Sequence, residues 1–276
     1  MLVSTPIGNL GDFSPRAVAA LRSADLVLCE DTRITSRLCA AFSVAPHLLT
    51  LHEHNEDARI AQVLDRLRQG QRVVQVSDAG TPLVSDPGYR LARAAIAAGL
   101  KVSAVPGPNA AVMALTLSGL PPQPFLFIGF LPPKAAARRA ALAGLRAAEQ
   151  AGLRATLIFH EAPHRVGEAL ADMAAVLGAR PAALARELSK RFEEVIRAPL
   201  PELAERFAAT PPRGELTLVV GPASADEAPA APDLAALLRA ALAEGASVKE
   251  AVARVTAATG LPRKQVYAAA LGLERA

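Results

Sequence analysis

Tryptophan is absent and aromatic residues make up 4% of the 276 residues, so a core has to be packed from alanine, leucine and valine. Only two cysteines occur, Cys29 and Cys39, on neighbouring segments without a Cys-x-x-Cys pair. That scarcity excludes a disulfide framework and a zinc site, and fits buried thiols of a cytosolic protein. No apolar run approaches the roughly 20 residues of a membrane span. The most apolar stretch, residues 102–120, is broken by Pro106, Pro108 and Asn109. The opening Met1-Leu2-Val3-Ser4-Thr5-Pro6 has neither the basic region nor the apolar stretch of a secretory leader. A soluble cytoplasmic chain without a membrane partner is expected. Charge of one sign is lacking too: 30 basic against 26 acidic residues leave +4, too small an excess to imply nucleic acid by itself. Neither Gly-x-Gly-x-x-Gly nor a P-loop is present, so nicotinamide cofactors and nucleoside triphosphates have no support.

What is there is a half-hydrophobic chain, 51% by count, in which short β-branched runs alternate with Ala-rich helical stretches. Strands are expected at 26–29, 48–51, 72–77, 101–105 and 125–128, with helices at 15–22, 57–69, 89–98 and 109–117. This alternation predicts an α/β domain with a largely parallel sheet. Leu131-Pro132-Pro133 interrupts it and marks a junction. A basic helix follows at 134–148, then strands at 155–160, 182–187, 193–196 and 216–220 and helices at 166–177 and 201–207, a second α/β domain. Residues 223–232 hold Ala, Pro and acids and read as a linker. The tail, 233–276, is helical in pattern: Asp233 caps a first helix, Ser247 and Glu250 form a capping box for a second, Gly260 ends it, and Pro262 begins a third. The boundaries are therefore 1–131, 132–222, linker 223–232 and tail 233–276.

Glycine and proline gather at strand ends in the first domain. One such loop runs through Ser77-Asp78-Ala79-Gly80-Thr81-Pro82 to Gly88; another is Pro106-Gly107-Pro108-Asn109-Ala110. Ligands of open α/β sheets bind beyond the carboxyl ends of strands, where small residues let the backbone approach. Loops of this chemistry suit a ligand with amine, carboxylate and ribose hydroxyls; plain tight turns are the alternative. Glu30-Asp31-Thr32-Arg33 directly follows the strand at 26–29, so it shares that rim. Glu30 or Asp31 can orient a hydroxyl or take its proton, and Arg33 can grip a phosphate; the alternative is a helix N-terminus with a surface arginine. His52-Glu53-His54-Asn55-Glu56 lies at another strand end and suits polar contacts or a solvated turn, with no third metal ligand in view. Glu161 and Arg165 can face a cleft, while Arg186 and Glu187 read equally as site residues or as a mutual ion pair. Arg138 and Arg139 on the basic helix, and Arg263 and Lys264 at the start of the third tail helix, suit RNA phosphate. An amphipathic surface helix and a packing bundle are the respective alternatives.

Several segments fall in order along the whole chain: Ser4-Thr5-Pro6-Ile7-Gly8-Asn9, Glu30-Asp31-Thr32-Arg33, His52 to Glu56, the two loops above, Gly129-Phe130-Leu131-Pro132, Phe159-His160-Glu161-Ala162-Pro163-His164-Arg165 and Arg186-Glu187-Leu188. Together they resemble the bacterial small-subunit rRNA cytidine 2′-O-methyltransferases of the tetrapyrrole-methylase superfamily. The resemblance implies two α/β domains with S-adenosylmethionine bent into the cleft between them, a homodimer, no metal, and a cytidine ribose in the decoding centre of 16S rRNA as acceptor. It implies that the donor lies against residues 77–82 and 106–111, under Phe159, Glu161, Glu187 and Glu215 of the second domain. Glu30, Asp31 and Arg33 then fall on the catalytic side, with Arg33, His54, Arg138, Arg139, Arg165, Arg263 and Lys264 toward RNA. His160 stands where the family has tyrosine and Ala162 where it has serine. A tetrapyrrole methylase and a non-catalytic ribosome-binding factor are the competing readings; neither needs all of these segments.

Overall fold

The computed structural model describes residues 1–223, 234–259 and 261–273. The capping role expected of Asp233, the stop at Gly260 and the linker beyond residue 223 lie outside the described residues. Contacts divide the chain into a larger unit, Met1–Glu149 with Leu153–Pro222, and a smaller one that takes in the C-terminal helices.

The larger unit starts with a parallel sheet of β1 (Leu2–Val3), β2 (Leu26–Cys29), β3 (Leu48–Thr50), β4 (Val73–Val76) and β5 (Ala104–Val105), in the order β3-β2-β4-β1-β5. Helices α1 (Pro15–Arg22), α2 (Thr32–Ala41), α3 (Glu56–Arg68), α4 (Tyr89–Ala97) and α5 (Ala110–Ser118) connect the strands. Every residue of β2 and β4 is buried, as expected for inner strands covered by helices on both faces. The strand expected at 101–105 shrinks to two residues because its sole partner is the two-residue β1, Leu2 opposite Ala104 and Val3 opposite Val105. Local signals start the helices. Ser14 accepts from Ala17 N with proline at the first position of α1, and Asn109 accepts from Val112 N to start α5. Helix α2 realises the alternative reading of residues 30–33 as a helix N-terminus: its cap is Asp31, accepting from Arg33 N at 2.8 Å.

The second sheet is mixed: β6 (Phe125–Phe130), β7 (Thr156–Glu161), β8 (Pro181–Arg186), β9 (Glu194–Pro199) and β10 (Leu216–Val220), in the order β6-β7-β10-β8-β9. The strand expected to close the first domain is β6, and it pairs instead with β7, Phe125 opposite Thr156. The chain therefore crosses to the second sheet before residue 125. The crossover back to β7 runs through α6 (Ala135–Gln150), a β-α-β unit with parallel strands. Helices α6, α7 (Val166–Leu177) and α8 (Leu200–Ala208) cover one face, Leu142, Leu170 and Leu203 sharing a core with Phe159 of β7. The other face, with Ile158, Ala183, Ala185 and Val219, packs on Ala111, Ala114 and Leu115 of α5. Helix α5 is apolar nearly all round, the mark of a helix buried on more than one side, and this shared packing joins the two sheets in one unit.

In the smaller unit, α9 (Leu234–Ala243), α10 (Val248–Thr259) and α11 (Arg263–Leu273) pack around Leu238, Val252 and Val266. The expected capping box is present: Ser247 N donates to Glu250 Oε2 at 2.9 Å and Glu250 N to Ser247 Oγ at 3.4 Å.

Candidate active site

Three loops meet at the carboxyl ends of β1, β4 and β5. Thr5 and Gly80 form an antiparallel bridge, and Thr5 Oγ1 donates to Ser77 O at 3.0 Å. Thr81 is the knot between the other two: its hydroxyl donates to Pro108 O at 3.1 Å and accepts from Asn109 Nδ2 at 3.3 Å. Ser77 Oγ closes its own turn on Ala79. Gly80 has φ +87°, and a Cβ there would come within 3.3 Å of Ile7, so glycine is required by conformation as well as by space. Gly107 is tight for another reason, since its Cβ would sit 2.9 Å from Ser4 Cβ. The loop from Ser77 to Gly88 also holds Leu83 at φ 71° and Ser85 at φ 59°, left-handed conformations that side-chain-bearing residues seldom keep outside functional sites.

These loops form one wall of a cleft of about 370 Å³ lined by Ile7, Ala79, Val84, Ser85, Asp86 and Ala110. Phe130, His160, Glu161, Gly214, Glu215 and Thr217 of the second half face them. A bulge in β6 between Phe127 and Gly129 brings Gly129 to where a Cβ would lie 3.2 Å from Ser85 Oγ. The volume suits a small-molecule ligand, and the mix of small apolar walls, backbone groups and the carboxylates of Asp86, Glu161 and Glu215 fits a nucleoside sulfonium donor. Asp86, within the 77–88 loop, is a site residue that the sequence reading does not single out. Burial pushes its carboxyl up to about 6, and the Glu30 and Asp78 carboxylates push the same way. The signal for it in the sequence is the Ser85-Asp86-Pro87-Gly88 turn, whose Gly88 at φ 110° has no room for a Cβ against the Gln75 amide. His160, in place of tyrosine, accepts or donates at Thr217 Oγ1 over 3.2 Å and lies edge-on to Phe127. Burial lowers its pKa, which keeps the ring neutral.

Glu30 to Arg33 are fastened to the 77–88 loop by Asp31 N, which donates to Asp78 Oδ1 at 3.1 Å. Asp31 itself is engaged by Arg33 through Nη2 at 2.6 Å and Nε at 3.0 Å. The Arg33 hydrogen bonds hold its carboxyl down at about 2, so Asp31 is a poor proton acceptor and a good anchor for the 84% exposed Arg33. Burial raises Glu30, and Asp78 and Glu53 raise it further.

Several expected contacts take other partners. Arg138 is 1% exposed and bonds Asp172 at 2.7 Å and Glu168 at 3.3 Å, so it is a core ion pair and cannot reach RNA phosphate. Arg139 shares Asp172 from the surface. Arg165 pairs with Glu161 at 3.2 Å and donates from Nη2 to Leu131 O at 2.7 Å, so both Arg165 and Glu161 are engaged. The Phe159 ring lies in the core of the second half, on the face of β7 away from the cleft, because alternate residues of a strand point to opposite faces. Glu187 and Glu215 are bridged by Lys190 Nζ at 2.9 Å and 2.7 Å, and Arg186 pairs with Glu194 rather than with Glu187. His54 is exposed beside His52, whose segment is the entry to α3, His52 N donating to Asn55 Oδ1 at 2.9 Å. Arg263 and Lys264 are exposed at the start of α11. Cys29 and Cys39 are buried free thiols.

Residues 1–204 match the family Tetrapyrrole (Corrin/Porphyrin) Methylases, and residues 228–274 match the RsmI C-terminal HTH domain. In fold the larger unit resembles the uroporphyrin-III C-methyl transferase from Thermus thermophilus complexed with S-adenyl homocysteine, with TM-score 0.53 and 19% identity over 79% of this chain and 95% of that one. Fold and cleft thus define a methyltransferase of the tetrapyrrole-methylase class. The chain is 50% identical to ribosomal RNA small subunit methyltransferase I of Micromonospora olivasterospora over 96% of its length and 84% of the relative's. It is 45% identical to the same-named protein of Xylella fastidiosa, over 96% of both chains. It belongs to the ribosomal RNA small subunit methyltransferase I family.

Proposed function

We propose that the chain methylates the 2′-hydroxyl of a cytidine in the decoding centre of 16S rRNA, with S-adenosylmethionine as donor, working as a cytoplasmic homodimer on the assembled small subunit. The observation that carries this reading is the hydrogen bond from Asp31 N to Asp78 Oδ1, which ties a polar acceptor segment to a donor loop on one rim. The donor supplies an electrophilic methyl on sulfur, and the chain's part is alignment and proton removal. In the transfer the sulfur–carbon bond breaks, the oxygen–carbon bond forms, and the hydroxyl proton leaves. Loops 77–82 and 106–110, knotted at Thr81, hold the donor side rigid, so that alignment lowers the barrier by several kcal/mol. Glu30, with its raised carboxyl, takes the hydroxyl proton. Arg33, steadied by Asp31, grips the phosphate beside the target ribose. Arg263 and Lys264 add phosphate contacts from the helical tail.

The test is ribose-methyl mapping of 16S rRNA after incubation with the wild-type chain and with Glu30→Gln. A 2′-O-methylcytidine made by the wild type, and turnover reduced at least about a hundredfold with unchanged donor affinity in the variant, are expected. Methyl groups on a base, or full activity of Glu30→Gln, would remove this mechanism. Sedimentation of the pure protein at monomer mass would remove the dimer.

A further inference from the structure

We infer that the turn between β8 and β9 is an RNA-binding tip, in which Phe192 stacks on an unpaired base next to the target nucleotide and Arg191 holds that base's phosphate. The inference rests on the RNA reading above and adds to it residues that neither the donor loops nor the acceptor segment include.

The turn is built to be stiff. Glu187 at φ 50° and Ser189 at φ 62° are both left-handed. Ser189 N donates to Glu193 Oε2 at 2.7 Å, Lys190 N to Glu187 O at 3.0 Å and Glu193 N to Lys190 O at 3.1 Å. Lys190 then ties the turn to the site from two sides. Its ammonium bridges Glu187 and the cleft-lining Glu215, and its stem occupies the space where a Cβ of Gly8 would stand, next to the cleft-lining Ile7. Ser189 lines a groove with Asn9, Gly107 and Asn109, so the turn borders the donor loops as well.

What this frame presents to solvent is one aromatic ring and one cation. Phe192 is 66% exposed, in a chain with only eight phenylalanines and no tryptophan. The Arg191 guanidinium lies 5.6 Å from its ring centroid, within cation–π range. The neighbouring acids are already engaged: Glu187 and Glu215 by Lys190, Glu193 by Ser189 N and Glu194 by Arg186. Arg191 has no carboxylate among the described residues, which leaves its charge for an anion. A single ring flanked by charged side chains is too small an apolar patch for a protein partner. It is the size of one base, and sequence-tolerant stacking of unpaired bases on aromatic side chains is how single-stranded RNA is held.

The experiment uses full-length protein and small subunits from cells lacking this methylation, measuring subunit binding without donor and then KM and kcat with it. Phe192→Ala is expected to weaken subunit binding and raise KM on the order of tenfold, with donor affinity unchanged. Phe192→Tyr should behave as wild type, whereas Phe192→Leu should resemble Phe192→Ala, because stacking needs a ring and not merely apolar bulk. Arg191→Ala should weaken binding and reduce the salt slope by about one. Wild-type binding by Phe192→Ala, or rescue by Leu equal to that by Tyr, overturns the inference. A change in sedimenting mass of Phe192→Ala also overturns it, by marking a contact between copies of the chain. If the wild type itself methylates no ribose of the small subunit, the RNA reading falls first; ribose methylation with indifferent tip variants leaves that reading standing and removes only the tip.

Discussion

Asp86 and Asp31 sit on one rim and are driven in opposite directions. Asp31 is hydrogen-bonded by a guanidinium and stays charged throughout the working pH range, while Asp86 is half-buried beside other carboxylates and titrates near 6. A carboxyl whose pKa is raised on folding binds its proton more tightly in the native state than in the unfolded chain. Its contribution to stability is therefore greatest at low pH and is lost as pH rises from about 4 through about 6. Asp86→Asn removes that loss. Thermal unfolding should show the variant a few degrees more stable than wild type near pH 8, with the gain gone by about pH 4. A gain of equal size at both pH values would mean that the asparagine packs better and that titration has no part. At the same scale, Gly80→Val forces a branched side chain into φ +87°. It should abolish donor binding by calorimetry while far-ultraviolet circular dichroism stays native in shape. Gly107→Val is a less selective probe than its exposed position suggests, because it also pushes on Ser4 of the strand-end loop.

Helices α6, α7 and α8 share an apolar core with the second sheet, and two close contacts among them are not revealed by sequence periodicity. The first is the Arg138–Asp172 pair between α6 and α7. On a helical wheel Arg138 belongs to a basic stripe; in the fold it is the largest fully buried side chain of that helix. Arg138→Ala empties a fully buried site and leaves Asp172 with only the surface Arg139, so it should cost about 2–4 kcal/mol in denaturant unfolding. The salt dependence of subunit binding by the folded fraction should not change, as it would if this arginine held phosphate. The second contact is Gly167 in α7, where a Cβ would lie 2.6 Å from Phe207 O of α8. Since that neighbour is backbone, it cannot swing aside, and Gly167→Ala is expected to destabilise by about 1–3 kcal/mol although alanine is the better helix former. A neutral or stabilising outcome would mean that α8 can slide.

For the molecule as a whole, the division into two units sets an expectation for truncation. Ending the chain after Pro222 removes the C-terminal helices with their own core around Leu238, Val252 and Val266 and leaves intact the lining of the cleft proposed to hold the donor. Donor affinity by calorimetry should be unchanged, and binding of small subunits should fall about tenfold or more, most steeply at physiological salt. Methylation of subunits as fast as by the full chain would show that the tail is no substrate element.

The sequence alone determined most of the elements and the rim on which the chemistry gathers. Helices such as Pro15–Arg22 and Val166–Leu177 and strands such as Leu26–Cys29 and Leu216–Val220 are set by local pattern and caps. The glycine-rich loops declare themselves because only small residues and turns tolerate their backbone. The ordered segments also pointed to the family. Partner choice was decided only in three dimensions. Strand β6 left the first sheet for the second, since a short apolar run carries no label for the strand it will pair with. Arg138, Arg165 and Glu215 read as charges with a ligand in view and Glu187 equally as a site residue or the partner of Arg186, yet each found an opposite charge elsewhere, Glu187 in Lys190. A charged side chain's role depends on what else the fold brings within about 4 Å of it, and that proximity is a property of tertiary packing, which no single stretch of sequence contains.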